Sequence, residues 1–136
     1  MELEIWQDAI ALGEKLFDLA DRLESMKLYR FAEQLRGSGL SMSNNIAEGS
    51  GSNSKREFSN FLNIARRSTF ENANVILVLE KRGLIKDEEV AELLERLDHL
   101  CRKITKLSED TSYLAPCALQ PIGRSLRLAP CAWRFA

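Results

Sequence analysis

Histidine, cysteine and proline are scarce in this sequence, and their scarcity removes several classes of protein. His99 is the single histidine, and Arg96 occupies the position three residues before it, so the Glu-x-x-His pairs of a di-iron bundle are missing. The three cysteines show no CxxC spacing, and neither a GxGxxG run nor a Walker loop is present. The sequence therefore predicts no metal, no cofactor, no small-molecule substrate and no enzymatic activity.

Long apolar segments are missing as well. No uninterrupted hydrophobic run approaches the roughly 18 residues that a membrane-spanning helix needs. The first residues, Met1-Glu2-Leu3-Glu4, are acidic where a secretory signal peptide would be basic. With an odd number of cysteines besides, we expect a reduced, cytoplasmic protein without a membrane partner.

No stretch alternates apolar and polar residues with the period of two that strands show. Apolar residues instead recur at steps of three or four, which predicts helices over about 3–23, 28–48, 55–82 and 88–111. The predicted core seams are Trp6, Ile10, Gly13, Phe17, Ala20 and Leu23, with Ala9, Leu16 and Leu19 alongside; Leu28, Phe31, Leu35, Gly39, Met42 and Ile46; Phe58, Leu62, Ala65, Thr69, Asn72, Ile76 and Leu79; and Val90, Leu94, Leu97, Cys101 and Ile104, widened by Leu93, Leu100 and Leu107. Because the connections are short, the predicted fold class is an all-α, antiparallel up-down-up-down four-helix bundle.

Recognisable signals mark the helix ends. Ser54 followed by Glu57 forms a capping box at the start of the third helix, and Gly83 follows its last turn. Asp87 is predicted to cap the fourth helix. Residues 49–54, GSGSNS, are predicted to form a turn rather than helix.

Residues 34–51, QLRGSGLSMSNNIAEGSG, are unusual for a helix. Glycine, serine and asparagine weaken an isolated helix, but small residues allow a neighbouring helix to approach closely. We therefore expect this segment to pack tightly against its neighbours. Asn45 and Asn72 are interpreted as hydrogen-bond partners between helices or between subunits that fix their register.

The same segment contains Gln34-Leu35-Arg36, Ser41-Met42 and Asn45-Ile46-Ala47-Glu48-Gly49. Together with Lys55-Arg56-Glu57-Phe58 and Ile64-Ala65-Arg66, these runs resemble the signature of the bacterial four helix bundle protein family. Its members are encoded by intervening sequences inside 23S ribosomal RNA genes. The resemblance extends over roughly residues 3 to 110.

This resemblance implies a homo-oligomer, in known relatives a ring-shaped pentamer, and a link to RNA. A similar protein is the accessory variability determinant of diversity-generating retroelements, a basic pentameric bundle that binds RNA and a reverse transcriptase. Three of the 19 basic residues are arginines that follow residue 111. The body of the chain, residues 1–111, therefore holds 16 basic residues and all 20 acidic ones, which gives it a net charge of −4. That acidic body disfavours the same specific role here.

Glu48, which lies within the signature between Ala47 and Gly49, has two possible roles. It could act as a general acid or base. Its carboxylate could instead accept hydrogen bonds from loop amides or from an arginine and so fix the turn at 49–54. The structural role is favoured.

Basic residues form local clusters despite the neutral total charge, and phosphate contact requires only such a patch. The alternative is a solvated helix face with pairs such as Arg67 and Glu71, four residues apart. The candidate nucleic-acid-binding residues are Arg36, Lys55, Arg56, Arg66 and Arg67.

The composition changes near residue 111, which predicts a bundle over 1–111 and a low-complexity tail over 112–136. The tail holds all three prolines and repeats Ala115-Pro116-Cys117-Ala118 as Ala129-Pro130-Cys131-Ala132. It is interpreted as a disordered extension, or alternatively as an arm that docks on a partner.

Apolar residues beyond the seams, at Phe61, Phe70, Val75 and Val78, predict a subunit interface. Three hypotheses follow, in decreasing order of support. The first is an oligomeric bundle that binds structured RNA. The second is a scaffold that recruits a polypeptide such as a reverse transcriptase. The third is a hydrolytic or deaminating enzyme that uses Glu48.

Overall fold

Four α-helices account for nearly all of residues 2–112, the part of the chain that the computed structural model describes. They are α1 (Glu2–Ser25), α2 (Tyr29–Ser50), α3 (Lys55–Lys81) and α4 (Asp87–Ser112). Within this range there is no strand, and each helix packs against the next, while α4 also contacts α1. The all-α class is confirmed, and the packing agrees with an antiparallel bundle.

None of these four helices is long and apolar enough to cross a bilayer. The predicted tail lies outside the described residues except for Ser112, which belongs to α4.

The ends of α3 follow the sequence signals. The Ser54 hydroxyl accepts the backbone N–H of Glu57 at 3.2 Å, as a capping residue does. At the other end Gly83 adopts φ = 67°, and its N–H donates to the carbonyl of Glu80 at 2.8 Å. The predicted roles of Ser54 as the capping residue and of Gly83 as the terminal glycine are therefore confirmed.

Two predicted boundaries are wrong by one or two residues. Helix α2 continues through Gly49 and Ser50, where a turn was expected, and the N–H of Gly51 then closes its end on the carbonyl of Glu48 at 3.1 Å. Helix α4 begins at Asp87 itself, so Asp87 lies in the first turn rather than at the capping position. Its carboxylate still lies at the positive end of the helix dipole.

The buried stripe of α1 differs from the predicted seam. The side chains that enter the core are Ile5, Ala9, Leu12, Leu16, Leu19, Ala20 and Leu23. Ile10 is 36% exposed, and Trp6 and Phe17 are only partly buried. Both sets of residues recur at three-to-four spacing, and the positions of α2 and α4 decide which set is covered.

The other three helices follow the predicted seams more closely. Every predicted seam residue of α3 is buried, including the polar Thr69 and Asn72. In α2 the seam from Leu35 to Ile46 is buried, and in α4 only Leu94 is partly exposed. The core is therefore continuous along all four helices.

Helices α1 and α2 cross closely at two glycines. A Cβ atom on Gly39 would lie 3.3 Å from Cε1 of Phe17, and one on Gly13 would lie 3.5 Å from the carbonyl oxygen of Gly39. The absence of a side chain at Gly39 thus eases this approach, as expected for the small residues of α2, whereas a Cβ atom on Gly13 would be at ordinary contact distance.

Helices α1 and α4 are joined differently, by ion pairs along their exposed edge. Nζ of Lys103 lies 2.6 Å from carboxylate oxygens of both Glu4 and Asp8, and Nζ of Lys15 lies 2.8 Å from Oε1 of Glu92. These bridges hold α4 against the helix that is most distant from it in sequence.

Candidate nucleic-acid interface

A buried polar layer fixes how α3 lies against α2. The Ser38 hydroxyl is 2.7 Å from Oδ1 of Asn72 and 2.6 Å from the carbonyl of Gln34, while Nδ2 of Asn72 donates to the carbonyl of Ser68 at 2.9 Å. Asn72 is fully buried, so these hydrogen bonds replace water. The interhelix role predicted for Asn72 is confirmed.

Asn45 takes part in this layer less directly. Its Nδ2 donates within α2 to the carbonyl and hydroxyl of Ser41, at 2.8 and 3.0 Å. The Ser68 hydroxyl then donates to the Ser41 hydroxyl at 2.9 Å. Within the chain, Asn45 therefore reaches α3 through Ser41.

The remaining signature residues have distinct surroundings. Ile46 is buried in the core, whereas Ala47 and Glu48 are exposed. A Cβ atom on Gly49 would lie 2.8 Å from Cδ2 of Phe58 and 2.8 Å from Cβ of Phe61. Only glycine permits this contact between the end of α2 and the start of α3.

Glu48 was expected to hold the following turn with its carboxylate, and the turn is held differently. The backbone carbonyls of Glu48 and Gly49 accept the N–H groups of Gly51 and Ser52, at 3.1 and 3.0 Å. The Glu48 side chain lies on the exposed side of α2. The hydrogen-bond acceptors that hold this turn are therefore main-chain carbonyls rather than the Glu48 carboxylate.

Among the five candidate cations, Arg36 differs from the other four because it pairs with carboxylates of the same chain. Its Nη2 donates to Asp21 at 2.6 Å and also bonds Glu24, both on α1. The hydrogen bonds that the Arg36 guanidinium donates to Asp21 and Glu24 hold its pKa above the ordinary value. This arginine is thus a link between α1 and α2.

The other four cations all lie on the first half of α3. Lys55, Arg56 and Arg67 are exposed and form no ion pair with any residue from 3 to 111. The half-buried Arg66 donates from Nη2 to Oδ1 of Asn63 at 3.1 Å. Four positive charges are therefore available on one helix.

The pair between Arg67 and Glu71, considered from the sequence as an alternative, is not formed. Oε2 of Glu71 instead accepts a long hydrogen bond from Nε2 of Gln34, at 3.4 Å. The Glu71 carboxylate therefore contacts α2 and forms no ion pair with Arg67.

The four α3 cations divide between two faces. Ser59 faces α4, since its hydroxyl is 3.1 Å from that of Ser108. Lys55 and Arg66 share this side with Ser59, because they lie four residues before it and seven after it. Arg56 and Arg67 instead lie on the side of α3 opposite the buried seam.

Two asparagines lie between these outward arginines and were not predicted as site residues. Asn60 and Asn63 are exposed, and the steps 56, 60, 63 and 67 repeat the four-three-four spacing of the core seam on the opposite side of α3. We call Arg56, Asn60, Asn63 and Arg67 the outward seam. These four residues form a second series at helical spacing, offset from the apolar series of α3. That series was the signal in the sequence from which the two asparagines could have been predicted.

Other concave surfaces lie elsewhere on the described chain. Leu3, Trp6, Ile46, Ala47 and Ser50 line an apolar cleft of about 360 Å³ where α1 begins and α2 ends. His99 is exposed on α4 in a shallow groove of mixed charge. Within the described residues, no group of three histidine, cysteine or acidic side chains is arranged to hold a metal ion.

This fold and this surface define a class of protein: an antiparallel four-helix protein whose third helix carries cations on two of its faces. The chain belongs to the 23S rRNA-intervening sequence protein family, whose sequence profile matches residues 1–106. The family resemblance of the sequence is thereby confirmed.

A solved structure provides a second comparison. The chain is similar to a protein of unknown function from the S23 ribosomal protein family of Bacteroides thetaiotaomicron, with a TM-score of 0.74 and 20% sequence identity. The match covers 77% of this chain and 98% of that one, and at this identity it shows a shared fold. No curated protein matches the sequence.

Proposed function

We propose that this protein is a non-enzymatic, cytoplasmic, oligomeric bundle that binds structured RNA through the cations of α3. The observation that carries the proposal is the set Lys55, Arg56, Arg66 and Arg67, none of which pairs with a carboxylate among residues 3–111. Membership of a family named for 23S rRNA makes structured RNA the first ligand to test.

The electrostatics of this surface support binding to a polyanion despite the acidic body. Screening limits interactions between exposed charges to roughly 8 Å at physiological salt, so a bound phosphate responds to nearby cations more than to net charge. The N-terminus of α3 adds the positive end of a helix dipole beside Lys55 and Arg56. Arg36 contributes less, because its donors already bind two carboxylates.

Self-association is the second part of the proposal. Of the four apolar residues predicted for an interface, Phe70 and Val78 are exposed by 39% and 37%, whereas Val75 is buried and Phe61 packs near Gly49. Further large apolar side chains, Leu40 and Ile64, are exposed on α2 and α3. An oligomer, such as the pentamer that the resemblance implies, would cover such residues and present several copies of the α3 cations, which raises avidity.

A titration of the purified full chain against 23S rRNA fragments and duplex DNA, at several salt concentrations, tests this function. We expect binding that favours RNA and weakens steeply with salt, since phosphate contacts release counterions. Light scattering on the same samples gives the number of subunits. Lack of RNA binding even at low salt would overturn the proposal.

A protein-binding scaffold is the alternative function, and the apolar cleft beside Trp6 favours it. Leu3, which lines the cleft, is 64% exposed, which suits a site for an apolar side chain of a polypeptide partner. A Leu3→Asp/Ala47→Asp variant should then lose partners in a pull-down while still binding RNA. Unchanged partners would remove the cleft from consideration.

A further inference from the structure

The outward seam combines two kinds of side chain that recognise different parts of a nucleic acid. Arg56 and Arg67 are separated by eleven residues, about 16 Å along a helix, and Asn60 and Asn63 lie between them. None of the four side chains is acidic, and all four are exposed. The outward seam thus has a positive charge at each end and neutral amides at its centre. Such a surface is complementary to two phosphate strands with sugar and base edges between them.

The orientation of the Asn63 amide is set by its neighbour. Oδ1 of Asn63 accepts from Nη2 of Arg66 at 3.1 Å, so its carbonyl side is occupied and both N–H groups of Nδ2 remain as donors. Asn60 has no hydrogen-bond partner among the described residues, so its amide offers both donors and acceptors. These two side chains are thus prepared for hydrogen bonding to an external ligand.

We infer that Asn60 and Asn63 contact 2′-hydroxyl groups in the shallow minor groove of an RNA duplex, while Arg56 and Arg67 bind the flanking phosphates. This inference rests on the proposed function and identifies the form of RNA that the face recognises. A-form RNA displays 2′-hydroxyls across a wide, shallow groove, and each hydroxyl both donates and accepts, as an amide does. DNA lacks this group, so the amides give a preference for RNA.

A second copy of the chain suits the outward seam less well. The centres of stable subunit interfaces are apolar and depleted in charge, whereas the outward seam contains only arginine and asparagine. The exposed Phe70 and Val78 lie further along α3, beyond Arg67, and are the better candidates for such an interface. Self-association through the outward seam is therefore an outcome for the experiment to test.

The test compares the full chain with an Asn60→Ala/Asn63→Ala variant on a labelled RNA hairpin of about 20 base pairs and a DNA hairpin of the same sequence. We expect RNA affinity to fall by about tenfold or more, DNA affinity to change less than about twofold, and the salt dependence to keep its slope, because no charge is removed. Alanine favours helix, so the variant should fold. Circular dichroism checks this.

A matched control removes two exposed amides elsewhere. The Gln7→Ala/Asn44→Ala variant removes two exposed amides from α1 and α2, outside the outward seam, and should bind both hairpins normally. If the Asn60→Ala/Asn63→Ala variant binds RNA as the unmodified chain does, the inference is wrong while RNA binding stands. If it retains RNA binding but loses its oligomeric state, the outward seam is a subunit contact. If the unmodified chain binds no RNA, the proposed function itself fails.

Discussion

Gly49 and Phe58 lie so close together that a Cβ atom on the glycine would be 2.8 Å from Cδ2 of the phenylalanine ring. The same atom would be 2.8 Å from Cβ of Phe61, which cannot move unless the backbone of α3 shifts. Gly49 ends the run Asn45-Ile46-Ala47-Glu48-Gly49, so one residue of this motif is explained by the contact between α2 and α3.

Gly49→Ala should therefore destabilise the protein by about 1–3 kcal/mol, because overpacking outweighs the gain of about 1 kcal/mol that alanine brings to a helix. Gly37→Ala is the matched control, since a Cβ atom there would meet nothing within 4 Å. We expect Gly37→Ala to be neutral or stabilising. Urea unfolding at a fixed protein concentration measures both, and equal stabilities for the two variants would contradict the packing argument.

Asn72 provides a second test of the α2–α3 contact. Asn72→Ala should lower the free energy of unfolding by about 1–3 kcal/mol, because it removes the hydrogen bonds to Ser38 and Ser68 and leaves a cavity in the core. The neighbouring Asn74→Ala removes an exposed amide and should change stability by less than about 0.5 kcal/mol.

A further substitution separates hydrogen bonding from volume at this site. Ser38→Ala/Asn72→Leu replaces both partners with apolar side chains, so it should recover most of the stability that Asn72→Ala loses. If the double variant is less stable than Asn72→Ala, then the polar layer contributes more to the free energy of unfolding than the hydrogen bond between Ser38 and Asn72 accounts for.

The sequence pattern predicts some of these features and cannot predict others. The seam of α3 was predicted residue by residue because its steps of four and three admit a single choice. The stripe of α1 was predicted only in part. Leu12 fits helical spacing as well as Ile10 and Phe17 do, and only packing against the other helices separates them. The pairing of Arg36 with Asp21 and Glu24 depends on the register of two antiparallel helices, which composition does not encode.

The bridges between α1 and α4 predict a loss of stability in acid. Hydrogen bonding to Lys103 lowers the pKa of Glu4 from 4.5, and hydrogen bonding to Lys15 lowers the pKa of Glu92 in the same way. A carboxyl with a lower pKa in the folded state stabilises the fold above its ordinary pKa, and this contribution disappears as the pH falls through the folded value. Stability should thus decline below about pH 4.5.

Substitution of the lysines checks the origin of this effect. Lys103→Met/Lys15→Met keeps the aliphatic chains but removes both charges, so the decline between pH 5 and pH 3 should be shallower than in the unmodified chain. Thermal unfolding across this range at low ionic strength gives the comparison. Parallel curves for the two proteins would show that other carboxylates are responsible.

The last prediction separates the outward arginines from Arg36. Arg56→Ala/Arg67→Ala should weaken RNA binding and reduce the slope of log affinity against log salt by about two, one for each lost phosphate contact. Arg36→Ala should instead reduce stability only slightly, since it breaks exposed pairs with Asp21 and Glu24. It should leave the salt slope intact.

Charge removal alone must be controlled in that experiment. Lys27→Ala/Lys86→Ala deletes two exposed cations that lie outside α3 and form no ion pair with any residue from 3 to 111. Because local contacts rather than net charge determine phosphate binding, this variant should keep the slope of the unmodified chain. An equal loss of slope in the control would mean that RNA responds to total charge, and α3 would no longer be the binding face.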